Sequence, residues 1–136
     1  MPSAWSFAMY KTILVKELIE DGERLVQELD RRHFPLTAAF WYDSPEREAW
    51  NLYIVSETAH DAGPLEVYTQ IRQAMAALNG LSLSLDDIVV LGPERTQFRD
   101  LRKTIEGVSQ MSVTGERVRL ERVPLQDAYI YRWSYE

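Results

Sequence analysis

Two apolar runs joined by a turn constrain this chain more than any other feature. Leu36 to Asp43 carries Phe40, Trp41 and Tyr42 in succession, and Trp50 to Glu57 carries Leu52, Tyr53, Ile54 and Val55. Large apolar side chains on consecutive positions belong to strands covered on both faces, since a strand with one wet face alternates. Between the runs, Ser44-Pro45-Glu46-Arg47-Glu48 has turn chemistry: proline presets φ, and Asp43 or Ser44 can bond nearby amides. The spacing predicts an antiparallel hairpin, interior to its sheet.

Helical patterns that can cover such a sheet lie on either side of it. Between about Lys11 and Arg32, Leu14, Leu18, Leu25 and Leu29 recur at helical spacing, widened by Val15, Ile19 and Val26. Gly22 falls beside that stripe. Glycine costs a helix about 1 kcal/mol relative to alanine, which points to close packing there. The helix should stop before Phe34-Pro35, because proline disfavours helical geometry in the residue before it. Gly63-Pro64 opens a second helix with Leu65, Tyr68, Ile71, Met75 and Leu78 as its stripe, closed by Asn79-Gly80. Leu85 to Leu91 reads as a short interior strand. Gly92-Pro93 opens a third helix to about Glu106, with Phe98, Leu101 and Ile105 turned inward. Val108 to Val113, Arg117 to Val123 and Ala128 to Tyr135 then read as a meander.

The order α-β-β-α-β-α-β-β-β predicts an α+β fold, a mainly antiparallel sheet packed by helices. The 136 residues suit a single globular domain over 1–136, with residues 1–10 as an aromatic N-terminal arm. That arm has no positive charge, unlike a secretory signal, and no run reaches the apolar length of a membrane span. The expected compartment is the cytoplasm, with no membrane partner. The absence of cysteine excludes disulfides, thiolate metal sites and cysteine nucleophiles.

The net charge of −6 is unevenly placed. Residues 1–68 hold 6 basic and 12 acidic side chains, while residues 69–136 hold 9 of each. The surplus of acid belongs to the first half.

Three constellations are candidates for function. In the last strand, Tyr129, Tyr131, Trp133 and Tyr135 alternate with smaller residues, and a period of two places all four on one face. With Trp5 and Phe7 of the arm they form the candidate contact surface for a protein partner or a second copy, aromatics being common interface anchors. Such a stripe can also stack bases, with Arg117, Arg119 and Arg132 nearby for phosphates. On the third helix, Arg95, Arg99 and Arg102 fall at i, i+4 and i+7 with Lys103 adjacent, a compact cationic strip for phosphate or an acidic partner. Third, Glu57, His60 and Asp61 follow the second strand with a Glu-x-x-His spacing, and Asp43 can join them to hold magnesium or manganese. The ordinary alternatives are rings that cover helices, mixed charge on a solvated face, and acids in a turn.

Nucleotide and hydrolase signatures are missing: no G-x-G-x-x-G, Walker loop, G-x-S-x-G or H-E-x-x-H occurs. Restriction-type nucleases need a second acid followed by lysine, but Thr58 and Ala59 follow Glu57. No residue is nominated as catalytic, and no metal or cofactor is expected. The leading expectation is a small non-enzymatic accessory protein acting through protein–protein contact or homo-oligomerisation. A nucleic-acid-associated protein using the helix at 93–106 and the last strand is the first alternative. A metal-dependent enzyme around Asp43 and Glu57 is the second.

Overall fold

A computed structural model describes residues 16–44, 49–96, 98–100, 102–103, 117–118, 123–124 and 128–134. The fold is α+β. In chain order its elements are α1 (Lys16–Arg31), β1 (Ala38–Ser44), β2 (Ala49–Val55), α2 (Glu57–Asp61), α3 (Pro64–Ala76), a 3-10 turn (Leu85–Asp87), β3 (Ile88–Leu91), β4 (Arg117–Val118), β5 (Val123–Pro124) and β6 (Ala128–Ser134). Helical backbone at 96, 98–100 and 102–103 forms a further helix, α4, after β3. The arm with Trp5 and Phe7, the stretch 108–113 and Tyr135 lie outside the described residues.

One mixed sheet organises these elements, in the order β3-β2-β1-β6-β4, with β5 also on β6. The hairpin is there, with Phe40 opposite Tyr53 and Asp43 opposite Trp50, and both its strands are interior. β3 joins β2 in parallel. The last strand pairs antiparallel with the 117–124 segment before it, as expected of the meander's final two strands, but it is not an edge. It inserts beside β1, and the short β4 and β5 both pair with its other edge. Other boundaries differ from the expected ones: β2 stops at Val55 and Glu57 begins a short helix, and helical backbone after β3 starts at 96 rather than at Pro93. A capping box between Ser84 and Asp87 curls 85–87 into the 3-10 turn, so β3 starts only at Ile88. Helix α3 ends at Ala76, ahead of Gly80.

Alternation along β1 divides the core. Ala39 and Trp41 face Leu25, Val26 and Leu29 of α1 and Val67, Ile71 and Ala74 of α3. Ala38 and Phe40 face the other way, with Tyr53, Val55, Val89, Leu91, Ile130 and Trp133, where Phe98 of α4 covers them. Phe40 stacks on Tyr53 at 5.3 Å, and Phe98 meets Trp133 at 5.8 Å. Helices therefore cover the sheet on both faces, as the doubly apolar hairpin requires.

A bulge in β6 overturns the single-faced aromatic stripe. Ala39 pairs with Arg132 but Phe40 pairs with Ile130, so Tyr131 is an extra residue on the β6 side. A bulge reverses the alternation beyond it. Tyr129 and Tyr131 consequently join the α1 face, while Trp133 joins the α4 face. Tyr131 and Trp133 are buried within the chain, so the contact surface expected of them is not available.

Tyr131 packs where Gly22 leaves room. A Cβ on Gly22 would stand 2.3 Å from Tyr131 Oη. That hydroxyl accepts a hydrogen bond from Trp41 Nε1 at 2.9 Å and donates to the Ile19 carbonyl at 2.5 Å. Burial pushes the phenol's pKa well above its ordinary value. At the other flank of α1, the buried Asp21 carboxylate accepts from the Ser82 and Leu83 amides, tying the loop after α3 to the helix.

The C-terminus of α1 is built less cheaply than it could be. The Phe34 amide donates to Leu29 O and the His33 amide to Asp30 O. Together these form a Schellman cap, with His33 at the position that takes left-handed backbone. Its φ is 60°, whereas the other two positive-φ residues of the described chain are Gly63 and Gly80. Left-handed geometry costs a side-chain-bearing residue about 1 kcal/mol or more.

Candidate functional site at the end of the sheet

Strands β2 and β3 run parallel and end together, leading into Ser56-Glu57 and Gly92-Pro93. The Ser56 amide donates to Leu91 O, and the Ser56 hydroxyl donates to Pro35 O at 2.5 Å. The same hydroxyl accepts from the Thr58 amide, capping α2. One buried serine thus fixes three segments at this end of the sheet.

Beyond them lies a cleft of about 510 Å³. Asp30, His33, Phe34, Pro35, Leu36 and Thr37 line it from the end of α1 and the entry to β1. Glu57 lines it from α2, and Pro93, Phe98 and Arg102 from β3's exit and α4. Because α1 and α4 cover opposite faces of the sheet, the cleft opens between the two helical layers. Its volume lies within the range of ligand clefts, and its open wall mixes polar with apolar residues.

The charged residues that line it are Asp30, Glu57 and Arg102. Arg132, buried on β6, gives both terminal nitrogens to the Asp30 carboxylate, one of them at 2.5 Å. Its Nε has no hydrogen-bond partner among the described residues. This pair anchors the end of α1 to β6 and cancels the charge of Asp30. Glu28 is clamped by Arg31 at 2.5 Å and Arg32 at 2.8 Å. Hydrogen bonding to those guanidiniums holds its pKa at about 2.

Of the cations expected on the third helix, Arg99, Arg102 and Lys103 lie on helical backbone, whereas Arg95 sits in the bend before it, its carbonyl accepting from the Arg99 amide. Arg95, Arg99 and Lys103 are exposed, and Arg102 is half-buried at the cleft wall. At 100° per residue Arg99, Arg102 and Lys103 span an arc of about 100°, beginning beside the inward-facing Phe98. Arg95, Arg99 and Lys103 make no ion pair among the described residues.

The acidic constellation does not converge. Asp43 lies five residues along β1 from Ala38, which pairs with Val55 at the opposite end of the hairpin. That separation is about 17 Å, so Asp43 and Glu57 sit at opposite ends of the sheet. Glu57 and His60 share the short helix α2, yet His60 bonds Glu94 at 2.9 Å. Glu94 is held below its ordinary pKa mainly by its own backbone amide, with His60 adding to the effect. Among the described residues no group of three or more acids and histidines is placed to hold a metal ion.

Comparison with protein-family models, curated proteins and solved structures returns no match. The site therefore stands on its own chemistry. Sequence reading located Glu57, Phe98 and Arg102 but not their meeting. It missed Asp30, His33, Thr37 and Arg132 as one neighbourhood. The available signal was His33 at a helix end, where glycine is the common choice.

No helix of the described residues is long and apolar enough to cross a membrane.

Proposed function

We propose that this protein is a non-enzymatic interaction protein. It docks an acidic segment of a partner protein along α4 and seats one apolar side chain of that segment in the cleft. The observation that carries this reading is the strip of Arg95, Arg99 and Lys103, exposed and without ion pairs among the described residues, beside Arg102 at the cleft wall. In a chain of net charge −6, such a strip is the local exception. Complementary charge selects partners and accelerates encounter more than it adds affinity, and the cleft supplies the buried contact. A purely apolar contact face is less well supported. Leu65 is the only large apolar side chain that is strongly exposed among the described residues.

The test uses a fluorescent peptide rich in glutamate with one central phenylalanine, followed by anisotropy. Binding should weaken as salt rises, because the rim charges are solvent-exposed. The double variant Arg99→Glu, Lys103→Glu should bind about tenfold more weakly. A peptide that fails to bind at low salt, or that ignores the charge reversal, would overturn the reading. Tighter binding by a single-stranded oligonucleotide than by the peptide would favour the nucleic-acid alternative instead.

A further inference from the structure

We infer that Glu57 determines the specificity of the cleft: it receives a basic side chain of the docked segment, next to the apolar anchor and away from the acidic residues held along α4. This rests on the docking role proposed above. Three charged residues line the cleft, Asp30, Arg102 and Glu57. Asp30 is bonded to Arg132, and both Asp30 and Arg102 have further interactions within the chain. Glu57 is exposed, and its carboxylate makes no hydrogen bond or ion pair among the described residues. The carboxylate does not cap its own helix, because the Ser56 hydroxyl already accepts from the Thr58 amide there. His60, one turn along α2, bonds Glu94 instead.

The surroundings select the ligand's chemistry. The His60–Glu94 contact holds α2 against the turn that precedes α4, which places Glu57 near the start of that helix. Lys103 lies about 10 Å further along the axis from the first helical residue, Thr96, with Arg99 between them. Arg95 also stands at the Glu57 end, but its charge acts on the adjacent Glu94 carboxylate. Free groups of opposite sign therefore flank one apolar seat, to which Phe34, Leu36 and Phe98 contribute. A segment whose glutamates follow Arg99 and Lys103 continues past its apolar anchor towards Glu57. A further carboxylate there is repelled. An ammonium or guanidinium instead forms a charge-assisted hydrogen bond with Glu57. Penalising the wrong charge at one position is a common source of selectivity between partners. The fitting segment is thus acidic at one end, apolar at its anchor and basic at the other end.

The experiment compares peptides by anisotropy on the unchanged full chain and on the variants Glu57→Gln and Glu57→Lys. Each peptide has glutamates on one side of the phenylalanine and either lysine or glutamine on the other, and each is made in both chain directions. In one direction the lysine peptide should bind the unchanged protein about two- to fivefold more tightly than its glutamine counterpart, the worth of an exposed ion pair. Glu57→Gln should abolish that preference, and Glu57→Lys should reverse it. Asp61→Asn removes a carboxylate of the same helix that does not line the cleft, and should leave the preference in place. If the peptides bind with no preference for lysine in either direction, or the preference survives Glu57→Gln, the inference is overturned while the docking role stands. An equal loss of preference in Asp61→Asn would also overturn it, by assigning the effect to overall charge. If the unchanged protein binds none of the peptides, the docking role fails and this inference fails with it.

Discussion

Tyr131 Oη lies 2.3 Å from where a Cβ on Gly22 would be, and the ring carbon bearing it lies 2.7 Å away. This contact reverses the usual expectation for a glycine inside a helix. Alanine would add about 1 kcal/mol of helix propensity. It would also drive a methyl group into a ring that is buried and hydrogen-bonded at both ends of its hydroxyl, and overpacking costs about 1–3 kcal/mol. Gly22→Ala should therefore destabilise the protein by about 1 kcal/mol net, read as a lower urea midpoint. An increase in midpoint would show that Tyr131 is free to move.

Acid should weaken the end of α1 in a defined window. Hydrogen bonds from Arg31 and Arg32 depress the Glu28 pKa from 4.5 to about 2 in the folded chain. A depressed carboxylate stabilises the fold fully above its unfolded pKa, and that contribution is lost as pH falls through the folded value. Stability should decline between pH 4.5 and about 2. Glu28→Gln should lower stability at neutral pH and flatten that part of the profile, measured by denaturant melts across the range.

Tyr68 closes one edge of the sheet. Its hydroxyl donates to Ile88 O at 3.2 Å and accepts from the Val90 amide at 3.3 Å. Beside it, the Ile88 amide bonds Leu85 O and the Arg95 amide bonds Gly92 O. An open edge strand invites pairing with another chain. Tyr68→Phe should cost about 1 kcal/mol and produce concentration-dependent association by light scattering. A variant that stays the same size at every concentration would show that the remaining contacts suffice to block the edge.

The hairpin, the helix ends at Phe34 and Pro64, and the close packing at Gly22 are legible because each follows from local chemistry. The positions of β3 and β6 are not. Their neighbours are set by contacts between residues far apart in sequence, such as Val90 beside Ile54 and Arg132 beside Ala39. The bulge at Tyr131 hides from a period-two reading because every residue around it suits a strand. The cleft is hidden for the same reason. Its lining comes from three stretches, 30–37, Glu57 and 93–102, which only the parallel pairing of β2 with β3 brings together. The cations at 95–103 are visible in the sequence because they fall within nine consecutive residues.

The docking claim is tested most directly by nuclear magnetic resonance of isotope-labelled protein, titrated with the glutamate–phenylalanine peptide. The account predicts chemical-shift changes concentrated at His33, Thr37, Glu57, Phe98, Arg99 and Arg102. Shifts confined to the far end of the hairpin, around Asp43 and Trp50, would contradict it, as would none at saturating peptide.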